Sequence, residues 1–431
     1  MKKLTTFFIL LFFIQQLSAQ QDTLLYHYRQ KALEYQQSVQ MAKARMSGAE
    51  SKVEAAKSDL LPSLDFSGRY KYHGVPLQLA PPADGSSITG AKLYNFYGLH
   101  LDLYQPVLTG GQLKNTKLAA ESEVEMMRNL VEMNKQQVML NADIYYWNAV
   151  AKKETYALYE KYMQVIDKFL KVIEDKVANE VVGKNQLYQA QVRYNDARYK
   201  AIRSKKEYMV SLMNLNKIAG LPVSNPTKVA DSLVIIPWVK VSDTITGYAL
   251  KKRPEMGYLQ SKISMNEHRE NIAGSMYNPQ LGVFAGGKWG SPSPGLQIEP
   301  GFNYNIGANF MIPIFHWGKK HEQIQIAHQF TQEAKLEMDE TKDRVILEVQ
   351  SSYYQLERSQ EQLDFAFNSL ANAKKNVDVM IDRYNEGLSS VLEVLDAQLY
   401  WQKSYLNYIL AKYELNVSYS QFRYAIGNFE Y

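Results

Sequence analysis

The segment YQPVLTGGQLKN (104–115) marks the point where a strand-like pattern changes into a helix-like one. Alternating apolar residues precede it, and a long stretch without proline or glycine follows it. The segment MIPIFHWGKKHE (311–322) has the same arrangement, and Pro106 and Pro313 are 207 residues apart. Self-similarity at a fixed spacing indicates a repeated structural unit.

Further positions are related by the same spacing, and upstream positions by a spacing of 217 residues. The matched pairs are Gly111 and Gly318, Ala190 and Ala397, Gly220 and Gly427, and, at the larger spacing, Pro62 and Pro279. The ten-residue difference falls between the prolines, where the first copy has the longer loop. We therefore predict a tandem duplication, with a first repeat over 20–220, a linker over 221–243 and a second repeat over 244–431.

Each repeat is predicted to contain a helix, two strands and two further helices. In SLDFSGRYKY (63–72), apolar and polar residues alternate with the period of a strand. The predicted elements are helix 27–59, strands 62–74 and 92–105 and helices 112–178 and 185–219 in the first repeat, and helix 244–275, strands 279–290 and 301–313 and helices 319–385 and 389–426 in the second. At ~1.5 Å per residue, the longest helices would measure on the order of 100 Å. Such lengths are typical of packed, supercoiled helices.

The N-terminus predicts export. Lys2 and Lys3 precede a short apolar run at 7–14, and LSA ends at Ala19, which together predict a signal peptide over 1–19. We expect no transmembrane helix, because no apolar run is long enough to cross a bilayer. The sequence has no cysteine, which excludes disulfides and thiolate metal sites. Its formal charge of +5 falls to +3 without the two lysines, so we expect no nucleic-acid partner.

The strands impose a constraint of their own. Amphipathic strands of this length suit a transmembrane β-barrel, and the 31 tyrosines suit a surface that meets both lipid and water. Only a closed barrel can cross lipid, and known barrels have at least about eight strands, so four strands cannot close alone. Three identical chains would supply twelve. The alternative is a soluble four-stranded antiparallel sheet with one wet face.

No pattern indicates catalysis. The segment GVFAGGK (282–288) satisfies G-x-x-x-x-G-K, but Trp289 follows it instead of Ser or Thr, and its glycines lie in a strand pattern. His316, His321 and His328 are spaced by five and seven residues, unlike a helical i, i+4 metal pair. We therefore expect no enzyme, no cofactor and no metal site.

The duplicated layout, the strand endings PVLTGGQ and PIFHWGK, and the segment RYNEGLSSVLEVLDAQ (383–398) together resemble the TolC-like family of outer membrane efflux proteins. The resemblance covers essentially the whole mature chain. It implies a mixed α and β membrane protein: a homotrimer with a 12-stranded barrel in outer-membrane lipid, continued by a long periplasmic α-helical barrel. It also implies a periplasmic adaptor (membrane fusion) protein and an inner-membrane pump as partners, and small molecules or polypeptides as exported cargo.

Two interpretations remain open for the acidic residues of the segment 383–398. Ser390 and Glu393 have the spacing of a capping box, in which Glu393 satisfies backbone donors at the start of a helix. The resemblance implies instead that Tyr384, Glu393 and Asp396 form the periplasmic gate. Three copies would then place six carboxylates around one axis, which would favour cations and raise the pKa of each carboxylate by mutual repulsion.

The same segment departs from the family and from its own repeat. Family members can carry an arginine where this chain has Ser389, so the hydrogen-bond network of the gate does not transfer whole. In the first repeat, Glu180 stands at the position of Gly387 and Gln189 at the position of Asp396. The residues expected at the helix-tip turns and at the adaptor contact (180–188 and 386–392) are Gly183, Gly387, Ser389 and Ser390. The prolines and glycines expected at the ends of the barrel strands are Pro62, Pro106, Gly111, Pro279, Pro313 and Gly318.

These inferences favour a passive outer-membrane exit duct of a tripartite efflux or type I secretion system, gated at its periplasmic helix tips. The alternative is an exported coiled-coil protein that is structural or adhesive and forms no channel. A periplasmic enzyme is a weaker alternative, because the sequence offers no nucleophile–base or metal arrangement.

Overall fold

Long helices and a single sheet make up the computed structural model, which describes residues 23–78, 92–237, 244–291 and 299–428. The signal peptide predicted at 1–19 lies outside these residues, as does the end of the linker at 238–243. Among the residues described, no helix is both long and apolar enough to cross a membrane.

The two repeats have the same order of elements. The first contains α1 (23–35), α2 (Gln37–Ser58), β1 (Ser63–Gln78), β2 (Lys92–Thr109), α3 (Gln112–Ala178) and α4 (Lys184–Ile218). The second contains α5 (Ile245–Lys252), α6 (Pro254–Ser275), β3 (Gln280–Ser291), β4 (Gly301–Met311), α7 (Lys319–Asn385) and α8 (Val391–Ala425). Helices α3 and α7 have 67 residues each, and α4 and α8 have 35 each. The long helices of the two repeats therefore match residue for residue.

The helices predicted at 27–59 and 244–275 are each divided in two, which corrects the prediction. The breaks fall at Gln36 and Arg253, which are 217 residues apart. Arg253 has extended backbone angles (φ −66°, ψ 124°) because the residue before a proline, here Pro254, is driven out of the helical conformation. No proline or glycine accompanies Gln36, so the local sequence gives no sign of the first break.

Both break residues bind the end of a helix from their own repeat. The Gln36 side chain donates a hydrogen bond to the Ile218 carbonyl at 2.7 Å. The Arg253 guanidinium donates one to the Ala425 carbonyl at 3.2 Å. Ile218 and Ala425 are the last residues of α4 and α8, and the last carbonyls of a helix find no amide donor within that helix. The repeats thus retain a hydrogen bond although its donor has changed from an amide to a guanidinium.

The four strands form one antiparallel sheet in the order β1-β2-β3-β4. The two hairpins have equivalent registers, since Ser63 pairs with Tyr104 in the first and Gln280 with Met311 in the second. The central pairing, between β2 and β3, joins the two repeats and places Tyr104 opposite Phe284. Strands β1 and β4 form the edges of the sheet.

Pairing decides where three of the strands end. Strand β2 continues to Thr109 instead of 105, since Gln280 of β3 pairs with Thr109. Strand β4 ends at Met311 instead of 313, because its described neighbour, β3, begins opposite that residue. In the same way β1 continues past 74 as far as Gln78, which pairs with the start of β2.

The apolar face of the sheet lies open in a single chain. Apolar and polar residues alternate along β4, and Ile306 on its apolar face is 80% exposed. Other large apolar side chains that are mostly exposed on the edge strands are Leu64, Phe66, Tyr70, Tyr72, Phe302, Tyr304 and Phe310. A contiguous apolar surface of this kind marks an interaction site for lipid or protein.

The described chain divides into two compact units. One contains the sheet and comprises Ala44–Arg128 and Gly257–Asp339, and the other comprises the described parts of 1–43, 129–256 and 340–431. In the unit that lacks the sheet, the carboxylate of Asp143 is fully buried and accepts two hydrogen bonds of 2.6 Å from the guanidinium of Arg29. This bidentate pair fixes α1 against α3.

The buried ion pair gives a stability prediction. We expect Asp143→Ala to lower the free energy of unfolding by about 3 kcal/mol or more, because it leaves a largely buried guanidinium without its carboxylate. Equilibrium unfolding in guanidinium chloride of the refolded full chain in detergent measures the change.

A surface pair provides the control. Lys57 and Glu54 lie one helical turn apart on α2 and are both exposed, so Lys57→Ala should leave the unfolding midpoint unchanged. An equally small effect of the two substitutions would contradict the role assigned to Asp143.

Candidate functional site

Each pair of long helices is joined by a tight turn, and the two turns have the same backbone geometry. At the α7–α8 turn, the Leu388 amide donates to the Arg383 carbonyl at 2.7 Å, and Gly387 has a left-handed φ of 79°. At the α3–α4 turn, the Val181 amide donates to the Lys176 carbonyl at 2.9 Å, and Glu180 has a φ of 59°. Both helices therefore end in a Schellman motif, but only one has the glycine that this motif favours.

The left-handed residues show how closely the repeats agree. Among the residues described, all those with positive φ fall into four pairs, each separated by 207 positions. The pairs are Gly110 and Trp317, Gly111 and Gly318, Glu180 and Gly387, and Gly220 and Gly427. Gly183 lies within the connection between α3 and α4, where it is the extended N-terminal cap of α4, a conformation open to any residue (φ −77°, ψ 154°). The left-handed position of this turn is Glu180.

The capping box expected at the start of α8 is formed. The Glu393 amide donates to the Ser390 hydroxyl oxygen at 3.3 Å, and the Ser390 amide donates to the Glu393 carboxylate at 2.7 Å. The hydrogen bond from the Ser390 amide, followed by that from the Ser390 hydroxyl, holds the pKa of Glu393 below its usual value. Within one chain, this shift is opposite to the rise that a ring of repelling carboxylates would produce.

Asp396 forms an ion pair with the other repeat. Its carboxylate lies 3.0 Å from the guanidinium of Arg193, so that α8 is joined to α4. Both side chains are partly exposed, and the pair contributes modestly to stability. Arg193 was not among the residues predicted for this site. The available signal was its position one helical turn after Gln189, the residue that matches Asp396 in the repeat.

Tyr384 lies in the core of the helix tips. Its ring packs edge to face against Phe169 at a centroid distance of 5.3 Å, and the Lys176 ammonium lies 4.1 Å from the ring centroid. Its buried hydroxyl has no hydrogen-bond partner within the described parts of the chain, and burial raises the pKa of Tyr384. Nearby, the Ser389 hydroxyl donates to the Met380 carbonyl at 3.2 Å, so Ser389 closes the turn onto α7.

The prolines and glycines expected at the strand ends lie at the boundaries between elements, with one exception. Pro62 and Pro279 directly precede β1 and β3, Pro313 follows β4, and Gly111 and Gly318 directly precede α3 and α7. Pro106 instead lies within β2, where the pairing with β3 becomes irregular before Leu108. This bulge accommodates the missing amide of proline.

The described residues contain no cluster suited to a metal ion, and the segment 282–288 lies inside β3 with no helix after it. A Cβ at Gly282 would lie 2.5 Å from the Tyr104 hydroxyl, so this glycine on β3 leaves room for the Tyr104 ring from the neighbouring strand β2. His316 and His321 are exposed, whereas His328 lies 3.3 Å from the Glu270 carboxylate. The features with functional potential are therefore the apolar sheet and the acidic helix tip.

Comparison with known proteins gives a family match in both repeats. The sequence model described as "outer membrane efflux protein" matches residues 28–221 and 246–428. The chain is 22% identical over 301 residues to the outer membrane efflux protein BepC of Brucella suis biovar 1 (strain 1330), a match that covers 69% of this chain and 65% of BepC. It is 25% identical over 195 residues to the outer membrane protein TolC of Salmonella enteritidis, covering 42% and 39%. The chain thus matches less than two thirds of the length of either relative.

Solved structures of similar fold cover nearly the whole chain. The Campylobacter jejuni CmeC outer membrane channel matches with a TM-score of 0.78 at 21% identity, over 94% of this chain and 85% of CmeC. The open state of the Neisseria gonorrhoeae MtrE outer membrane channel also matches with a TM-score of 0.78, at 15% identity and over 94% and 89%. This likeness establishes the mixed α and β fold expected from the sequence.

The turn geometry gives a prediction with a matched pair of variants. A left-handed conformation costs a residue with a Cβ roughly 1 kcal/mol relative to glycine. We therefore expect Glu180→Gly to raise the free energy of unfolding by about that amount, and Gly387→Ala, at the matching position, to lower it similarly. Denaturant unfolding of the full chain measures both, and equal signs for the two variants would contradict the assignment.

Proposed function

The chain belongs to the outer membrane efflux protein family, and on that basis we propose that it is the passive exit duct of an efflux or type I secretion system in the outer membrane. The observation that carries the proposal is the open sheet: an exposed apolar face bounded by two edge strands, attached to helices of 67 residues. A closed barrel is the arrangement of strands that satisfies every backbone group in lipid. Three chains would supply twelve strands for it.

The proposed assembly is a homotrimer embedded in outer-membrane lipid, with its helices extending into the periplasm. Its proposed partners are a periplasmic adaptor protein and an inner-membrane pump, with the helix-tip turns around Gly387 and Glu180 as the contact surface. The cargo would be small molecules or polypeptides. The family and the similar structures are those of channels, so we assign no reaction to the chain.

The proposed periplasmic gate lies at the helix tips, with Asp396 as its principal acidic residue. Glu393 is engaged in the capping box but keeps its charge, because its pKa is lowered. Arg193 is the positively charged partner of Asp396. In this proposal it substitutes for the family arginine, whose position is occupied here by Ser389. Tyr384 contributes its buried ring to the packing of the tips. Three copies around one axis would make this region negatively charged and selective for cations.

Membrane fractionation tests the duct. We expect the protein to sediment with outer membranes, to be extracted by detergent only, and to migrate as a trimer on gels when the sample is not heated. An exported coiled-coil protein without a channel would instead be released in soluble form. Recovery of soluble monomer from the periplasm would therefore overturn the proposal.

Planar-bilayer recordings test the gate. We expect the double variant Glu393→Ala/Asp396→Ala to lose preference for cations, because the acidic lining is removed. Arg193→Gln should raise the conductance and strengthen the cation preference, because it frees Asp396 and releases α8 from α4.

The control for Arg193 is Lys200→Gln. Lys200 pairs with Asp196 one turn away on α4 itself, so its loss should leave the tip unchanged. Unchanged conductance and selectivity in both test variants would leave the capping role of Glu393 as the whole account of the acidic pair.

A further inference from the structure

The junction between the two repeats offers a template for a second junction. Strand β2 ends the first hairpin and pairs with β3, which begins the second. The hairpins themselves have the same register, so β4 is the counterpart of β2 and β1 is the counterpart of β3. In a single chain, β4 and β1 are the two free edges of the described sheet. The β2–β3 junction therefore shows how one hairpin pairs with the next.

We propose that β4 pairs with β1 of a second copy of this chain in the register of the β2–β3 junction, shifted by the two repeat spacings. Tyr104 pairs with Phe284, which assigns Met311 to Ser67 of the second copy. Gly98 pairs with Gly290, which assigns Asn305 to His73 of the second copy. The inference rests on the proposed duct and adds to it the residue-level register at which the chains join.

The alternation of side chains supports this register independently. It places Ile306 and Ala308 opposite Tyr72 and Tyr70 of the second copy, so that apolar residues meet on one face. It places Asn309 opposite Arg69 of the second copy, so that polar residues meet on the other. A slip by one residue would put every apolar side chain opposite a polar one. The transferred register is thus one of those that the sequence pattern permits.

The same transfer extends β4 beyond its end in the single chain. After Pro106, β2 passes an irregularity and continues with Leu108 opposite Leu281 and Thr109 opposite Gln280. The transferred pairs are Phe315 with Leu64 and His316 with Ser63 of the second copy. Residues 312–316 form no ladder in the described chain, and Ile314 in this segment is 92% exposed. We therefore expect assembly to lengthen β4 to His316, with a bulge after Pro313.

The helices that adjoin the sheet also form one junction that is closed and one that is open. A groove of about 340 Å³ lies between α2 and α3 and is closed on its third side by Arg269 and Ile272 of α6. The counterpart groove between α6 and α7, of about 530 Å³, is lined by those two helices alone. Its third side would be Lys52 and Ala55 of the second copy, the counterparts of Arg269 and Ile272. Accordingly Ala119 in the closed groove is buried, whereas its counterpart Ile326 is 59% exposed.

One position must differ between the two junctions. A Cβ at Gly110 would lie 2.5 Å from the Cβ of Asn278, so this position of the junction within the chain has no room for a side chain. Trp317 stands at the matching position with the same left-handed φ, and Leu61 of the second copy stands at the position of Asn278. The junction between chains must therefore be wider at this end, with the Trp317 side chain in the space.

Disulfide trapping tests the register, because the chain has no cysteine of its own. We expect the double variant Asn309→Cys/Arg69→Cys to form linked dimers and trimers on oxidation, which heat and denaturant do not separate but a reductant does. Directly paired residues of antiparallel strands lie about 4.5–5.5 Å apart between Cα atoms, within reach of a disulfide.

The matched controls shift one partner by four residues along the same face. Asn309→Cys/Asp65→Cys and Asn309→Cys/His73→Cys should give no linked chains, because their Cα atoms would be too far apart. Linkage in either control, or unheated trimers without linkage in any variant, would overturn the register and leave the duct intact. Chains that run as monomers without heating would overturn the register and the proposed trimer together.

Discussion

The edge strands of the sheet impose the requirement on which the rest of the molecule depends. Strands β1 and β4 each have one side whose amides and carbonyls find no strand within the described chain, and both present large apolar side chains. In water such edges invite association, and in lipid each unpaired group costs several kcal/mol. Pairing them is therefore a condition for stability in a membrane. The β2–β3 junction already meets this condition once, inside the chain.

The duplication has kept backbone geometry while the side chains diverged. Gln36 and Arg253 donate to equivalent helix ends with different chemistry, and Glu180 has the same left-handed conformation as Gly387. These positions show that hydrogen bonds to free carbonyls and turn conformations constrain the fold more than residue identity does. Divergence at the tips has also created a contact between the repeats, in which Arg193 of the first repeat binds Asp396 of the second, whereas the matching positions hold Tyr400 and Gln189.

The sequence predicted the fold class because its signals are local. Glycines directly precede α3 and α7, prolines directly precede β1 and β3, and period-two alternation marks the strands. The break at Gln36 could not be predicted, because no local signal accompanies it and the contact made there is with a carbonyl 182 residues away. The Arg193–Asp396 pair escaped for the same reason, as 203 residues separate its members. The capping box at Ser390 and Glu393 was readable because its whole hydrogen-bond pattern lies within four residues.

The open edges of the sheet also have a genetic consequence. If the membrane-spanning part is shared among chains, no chain completes it alone, and a defect in one edge strand damages every assembly that contains the defective chain. An allele that alters β1 or β4 while sparing the helices should then be dominant over the wild-type copy in the same cell. An allele that prevents the chain from folding at all should be recessive, because unfolded chains never enter the assembly. Dominance would thus distinguish residues that join chains from residues that build them.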